Sequence, residues 1–197
     1  MKTTLTIILG LACLVGGLTA KEPFDYHSVR AKQAIAADIT GKQEGEALTL
    51  KGKSRVQGMK NFGLEWSGDS HLLWNGIVGE AMETSFEVSK TGRHRLNAVL
   101  TLAPDYGVFT VRLNGKVIRE GVDLYARGVE LARPLALGEF DFQAGSQQLS
   151  FTLTGGNPQA RKFRGTGYLM GIDYLVCLLY TSPSPRDATL SRMPSSA

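Results

Sequence analysis

Apolar side chains recur at every second position through the middle of this chain, and that periodicity decides the class of fold. Met82, Phe86 and Val88 alternate with Glu83, Ser85 and Glu87. Leu96, Ala98, Leu100 and Leu102 mark one face of the next run. Phe109, Val111 and Leu113 alternate with Thr110 and Arg112, and Leu149, Phe151 and Leu153 with Ser150, Thr152 and Thr154. Successive side chains of a strand point to opposite faces, so a period of two requires one buried and one wet face. Only residues 27–37, from His27 to Ala37, hint at a helix. Asn114-Gly115 stands between two such runs and suits a type I′ hairpin, because both of its positions need positive φ. Gly92, Gly121, Gly138 and Gly145 punctuate other strand ends. The 23 glycines with only 20% charged residues agree with short strands joined by tight turns. The expectation is an all-β, antiparallel β-sandwich or jelly roll.

The two ends differ in character from this middle. Lys2 precedes an apolar or small stretch at residues 5–18, and Leu18-Thr19-Ala20 ends where Lys21-Glu22-Pro23 begins. A run of about 14 apolar residues is short for a membrane span and suits a signal peptide. Residues 1–20 are therefore expected to direct export to the periplasm or beyond. The end reads Cys177-Leu-Leu-Tyr-Thr-Ser-Pro-Ser-Pro-Arg-Asp and closes on Met193-Pro-Ser-Ser-Ala. Residues 177–197 resemble the translated read-through of a sequencing-library adapter, which implies a native sequence truncated at Val176. The expected layout is a signal peptide at 1–20, a lead segment at 21–45, the β-sandwich at 46–176 and a non-native tail at 177–197.

Without Lys2 and the Arg186, Asp187 and Arg192 set, the formal net charge falls from +4 to +2. That balance offers no electrostatic case for nucleic acid or for an anionic membrane. Cys13 and Cys177 both fall in the trimmed ends, which leaves no disulfide, thiolate nucleophile or cysteine metal site within 21–176.

The chemistry-bearing residues sort into a decoy and a suggestive cluster. Gly68-Asp69-Ser70 resembles the nucleophile block of one esterase class. That block needs an apolar parallel strand before it, a helix after it and a downstream Asp-x-x-His. Here Gly63-Leu64-Glu65-Trp66-Ser67 precedes it and no Asp-x-x-His follows. His27, His71 and His94 have no close metal-ligand spacing, and no Asp-x-Asn-x-Asn-Gly calcium loop occurs. No cofactor is expected. Asp105, Asp123 and Asp173 read as loop-stabilising residues, and Arg161-Lys162-Phe163-Arg164 as a solvated loop. By contrast Gln57, Asn61, Trp66, Asp69, His71 and Trp74 crowd into a short segment with glycines between them. Sugars are held by a flat aromatic face and by planar amide or carboxylate groups. Trp74, in Leu72-Leu73-Trp74, reads as core, whereas Trp66, between Glu65 and Ser67, reads as an exposed platform. The candidate ligand-binding residues are Asn61, Trp66, Asp69, His71 and Tyr106, with stacking assigned to Trp66 or Tyr106.

An ordered string supports the same class. It runs through Asp105-Tyr106-Gly107, Val111-x-Leu113-Asn114-Gly115-Lys116, Asp123-Leu124-Tyr125 and Leu137-Gly138-Glu139. It continues through Ala144-Gly145, Leu149-x-Phe151 and Gly156-Asn157-Pro158 to Gly171-Ile172-Asp173-Tyr174-Leu175. Over residues 64–176 it resembles the galactose-binding-like β-sandwich modules attached to secreted bacterial glycoside hydrolases, including those of difructose-anhydride-type enzymes. The resemblance implies a jelly-roll sandwich with a carbohydrate-associated, non-catalytic role. The expected function is an exported accessory module of a larger polysaccharide-acting protein, with a glycan and a downstream domain of the same chain as partners. The alternative is a structural sandwich that packs against its neighbour and holds no free ligand. An esterase at Gly68-Asp69-Ser70 ranks third.

Overall fold

The computed structural model describes residues 41–51, 53–63 and 65–180. The expected signal peptide, the hint of a helix at 27–37 and the chain beyond 180 lie outside the described residues.

The strands are β1 (Lys42–Glu44), β2 (Thr49–Lys51), β3 (Ser54–Gly58), β4 (Ser70–Gly76), β5 (Ala81–Val88), β6 (Gly92–Leu102), β7 (Gly107–Leu113), β8 (Lys116–Asp123), β9 (Glu130–Leu131), β10 (Leu135–Phe142), β11 (Gly145–Gly156) and β12 (Tyr168–Leu179). Single 3-10 turns sit at Gly45–Ala47 and Ser67–Asp69. One sheet, here called A, has the order β10-β6-β12-β4-β3, with β1 added to β12 and β9 to β6. The other, sheet B, has the order β2-β5-β11-β7-β8. The strand pairings are antiparallel, from β1 on β12 to β7 on β8. The fold is thus the antiparallel β-sandwich that the alternation predicts.

The inward positions are those the periodicity marks. Met82, Phe86, Phe109, Val111, Leu149, Phe151 and Leu153 from sheet B meet Leu96, Ala98, Leu100, Leu72 and Trp74 from sheet A in one apolar cluster. Burial of this kind supplies roughly 25 cal/mol per Å² of apolar surface and is the main stabilising term. Trp74 packs edge-on against Phe109 across the interface, with ring centroids 6.1 Å apart, so its reading as core holds. Between β7 and β8, Asn114 and Gly115 take φ of 48° and 80°, the left-handed values a tight hairpin needs.

β12 departs from simple alternation. It is buried at every position from Tyr168 to Cys177 because it runs through the middle of sheet A. A register shift between Ile172 and Tyr174 inserts Asp173 as an extra residue against β6. Before the shift Met170 and Ile172 face the main cluster; after it Leu175 and Cys177 do. Tyr174 and Val176 turn to the opposite face and form a second cluster with Val99. A bulge re-aims a side chain in this way, and here the re-aimed group is a carboxylate.

The sandwich also extends past its expected limits. β1 begins at Lys42 and pairs with β12 over Lys42–Glu44, opposite Val176, Leu175 and Tyr174. β12 continues to Leu179, and the Cys177 N–H donates to the Gly41 carbonyl at 3.0 Å. The Gln43 amide bonds both backbone groups of Glu87 at 2.8 and 2.9 Å, which ties β1 to sheet B.

Candidate functional site

The segment singled out by sequence does not form an open platform. Residues 59–69 connect β3 to β4, and the alternation along β6 places Val99 and Thr101 on the face of sheet A opposite the core. Over that face lies Trp66, 4% exposed, with its indole N–H donating to Thr101 Oγ1 at 2.9 Å. Thr101 Oγ1 lies 2.7 Å from His71 Nδ1. Because the indole can only donate, the threonine hydroxyl hydrogen is free to donate to Nδ1. His71 then carries its proton on Nε2, which points to Gln57 Oε1 at 3.4 Å. The ring is fully buried, and this burial, with the nearby Arg55 charge, lowers its pKa to about 4. A neutral imidazole, accepting at Nδ1 and donating from Nε2, fits this chain of bonds. The ring has room because Gly171 lies beneath it: a Cβ there would fall 2.6 Å from His71 Cε1.

Ser67, the next residue, is held from a second direction. Its N–H donates to Asp173 Oδ1 and Oδ2 at 3.0 and 3.4 Å, and its hydroxyl donates to Glu44 Oε1 at 2.8 Å. The Lys42 ammonium reaches the same Ser67 hydroxyl and pairs with Glu44 at 2.7 Å. Ser70 Oγ donates to Glu46 Oε1 at 2.6 Å. Asp173 is fully buried, and desolvation raises its pKa to about 8 despite the Ser67 N–H, with the Glu44 and Glu46 charges adding to the rise. The second oxygens of Glu44 and Glu46 are buried with no hydrogen-bond partner. Carboxylate oxygens of this kind suit hard cations. Among the described residues, however, no group of three or more His, Cys, Asp or Glu is arranged to hold a metal ion.

These contacts correct several expectations. Trp66 and Tyr106 are each 4% exposed and present no ring face on which a sugar can stack. The aromatic ring that read as a platform is a plug, and its polar edge is satisfied within the domain. His71 is likewise enclosed. Of the expected contact residues, Asn61 is exposed, and Asp69 is partly exposed and paired with Lys60 at 3.2 Å. The Gly68-Asp69-Ser70 block opens antiparallel strand β4 and precedes no helix. Ser70 bonds Glu46 and His71 bonds Thr101, so the two do not form a nucleophile–base pair. Asp123 has the expected loop-holding role: it accepts from the Tyr125 N–H at 2.9 Å and from Asn157 Nδ2 at 2.7 Å.

An open polar site lies elsewhere, on sheet B. A cavity of about 230 Å³ is lined by Glu83, Thr84, Ser85, Asn114, Ser146, Gln147 and Gln148. The register places Ser85 opposite Gln148 and Glu83 opposite Ser150 on neighbouring strands β5 and β11. Met82, Phe86, Leu149 and Phe151 fill the core, so Glu83, Ser85 and Gln148 face away from it. The lining combines hydroxyl, primary amide and carboxylate groups without an aromatic ring. Such groups exchange hydrogen bonds with a hydroxyl-rich molecule. The sequence carried one signal for this site: the outward positions Glu83, Ser85 and Glu87 of β5 and Ser146, Gln148, Ser150, Thr152 and Thr154 of β11 are polar. It did not show that they converge.

No family model matches the chain, and no curated protein matches it. Among solved structures it is similar to a xanthan lyase of Paenibacillus, with a TM-score of 0.60 and 22% identity. The similarity covers 72% of this chain and 13% of the lyase. The likeness is one of fold. A family 35 carbohydrate-binding module from Clostridium thermocellum aligns with a TM-score of 0.46 and 18% identity over 71% of this chain and 99% of the module. The CBM36-1 domain of a multidomain xylanase from the hindgut metagenome of Trinervitermes trinervoides aligns at 0.45 and 15%, over 72% and 98%.

Proposed function

We propose that this β-sandwich is a non-catalytic, carbohydrate-associated accessory module that works within a longer exported protein. It holds a sugar residue of a glycan in the sheet-B cavity. The observation that carries this reading is the lining itself: two serine hydroxyls, an outward Gln148 amide and the Glu83 carboxylate on adjacent strands, around a cavity open to solvent. At about 230 Å³ the cavity is below the roughly 300–1,000 Å³ of sites for drug-sized ligands, which fits one sugar residue rather than a chain segment. Without a stacking ring the affinity is modest. The module then acts by raising the local concentration of glycan near a tethered catalytic domain.

The test is a glycan array probed with the full chain, the Gln148→Ala variant and the Ser85→Ala variant. Binding of neutral glycans by the wild type, weakened in both variants, is the expected result. An array that is blank for the wild type, or signals unchanged in both variants, contradicts the reading.

The purely structural alternative draws on a different place. Ile77 and Val78 are 51% and 56% exposed at the β4–β5 turn. That turn is fixed by Glu80, whose carboxylate accepts from the Ile77 N–H at 3.0 Å and pairs with Lys53 at 3.2 Å. A rigid apolar tip suits packing against a neighbouring domain. Trp66, which that alternative would place in an interdomain contact, is already buried within this domain.

A further inference from the structure

The hydrogen bonds around the sheet-B cavity divide its polar groups into those that hold and those that are held. Asn114 opens the two-residue turn between β7 and β8, just past the last paired residues Leu113 and Leu149. Its N–H donates to the Gln148 carbonyl at 2.8 Å, and its Oδ1 accepts from the Gln148 N–H at 2.8 Å. Together these bonds extend the β7–β11 ladder by one step, with a side-chain amide in place of a strand residue. The Asn114 Nδ2 donates to Gln147 Oε1 at 2.9 Å, and Gln147 Nε2 donates onward to the Gln143 carbonyl at 3.1 Å. The Asn114 and Gln147 amides are thus committed to the protein on both their oxygen and nitrogen sides. The Gln148 side chain takes the outward face of β11, opposite to that of Gln147, and stands next to Ser85.

Turn geometry alone does not account for this arrangement. Asp or Gly supplies the positive φ of a tight hairpin as well as Asn does. Only Asn combines the turn conformation with an acceptor for the Gln148 N–H and a donor for the Gln147 amide.

We propose that Asn114 is a positioning residue of the carbohydrate site, which fixes the Gln147-Gln148 segment so that Gln148 meets the sugar. This rests on the reading of the sheet-B cavity given above. Asn114 acts through Gln148 rather than as a hydrogen-bond partner of the ligand, because its amide oxygen and nitrogen are both bonded within the protein.

The experiment compares the full chain with its Asn114→Gly and Asn114→Asp variants. Affinity is measured by calorimetry with a panel of neutral hexose and pentose disaccharides, and backbone amide exchange is followed in the unliganded proteins. Gly keeps the turn and loses every side-chain bond, so N114G is expected to bind about tenfold more weakly and to exchange its Gln148 amide faster. Asp keeps the acceptor for Gln148 but not the donor for Gln147. N114D is therefore expected to recover most of the lost affinity, to within about threefold of the wild type. Wild-type affinity in N114G overturns the proposal. Weaker binding in N114G with unchanged Gln148 exchange also overturns it, because Asn114 would then be a direct contact. A wild type that binds none of the panel marks failure of the carbohydrate reading itself, and the proposal falls with it.

Discussion

The face of sheet A beneath residues 59–69 and the outward face of sheet B are both rich in polar groups, yet they do opposite things with them. On sheet A an aromatic residue, a histidine and several carboxylates are drawn under a connecting segment. There Trp66 and His71 bond Thr101, Asp173 accepts from the Ser67 N–H, and one oxygen each of Glu44 and Glu46 is left without a partner. On sheet B serines, glutamines and a glutamate remain at the surface around a cavity. Residue type does not separate a ligand platform from a structural plug; solvent access and the partners of each polar atom do. A tryptophan with its N–H satisfied 35 residues away in sequence is part of the fold.

The comparison is broken most forcefully at Trp66. Trp66→Ala removes a buried indole and leaves Thr101 without its donor, and is expected to cost about 3–5 kcal/mol of stability. Chemical denaturation checks this. A loss below about 0.5 kcal/mol, the size of an ordinary surface change, would return Trp66 to the surface.

Acid and base probe the same region through two groups of opposite sign. The His71 pKa falls from 6.5 unfolded to about 4 folded, so its stabilising contribution is complete above 6.5 and is lost as the pH falls toward 4. At 1.36 kcal/mol per pKa unit the full effect is about 3 kcal/mol. The Asp173 pKa rises from 3.8 to about 8, so its contribution is complete below 3.8 and is lost as the pH rises through 8. The two oppose each other between pH 4 and 6.5. Unfolding midpoints are therefore expected to change little there in the wild type and to fall between pH 6.5 and 8. Asp173→Asn keeps an acceptor for the Ser67 N–H and removes the opposing titration. In D173N stability should rise with pH across the acid window. A D173N profile that is flat from pH 4 to 6.5 would contradict the buried, neutral state of His71.

The smallest effect on folding should accompany a clear effect on binding. Gln148→Ala lies on the exposed face and is expected to change stability by no more than about 0.5 kcal/mol. Loss of one hydrogen bond should weaken glycan binding about fivefold. Destabilisation comparable to that of W66A would mean that the two faces are not different in kind.

The fold was legible where a strand has one wet face. Alternation around Phe86, Phe109 and Phe151 gave the inward residues of β5, β7 and β11, and Asn114-Gly115 gave a hairpin. β12 was not legible in this way, since a strand covered on both faces is continuously apolar and hides its bulge at Asp173. Sheet order was hidden as well: β6 pairs with β10 and β12, and not with its sequence neighbours β5 and β7. At the site, Gln57 to Trp74 stood out because they are close in sequence. The cavity is built from Ser85, Asn114 and Gln148, which only the β5–β11–β7 register brings together. Local crowding is visible in a sequence, and cross-strand convergence is not.

The most direct test of the central claim is a titration of the isotope-labelled full chain with neutral disaccharides, followed by amide chemical shifts. The account predicts saturable shifts at Glu83, Thr84 and Ser85, at Asn114, and at Ser146, Gln147 and Gln148, with Trp66 and His71 undisturbed. Shifts centred on Asn61, Trp66 and His71 instead would contradict it.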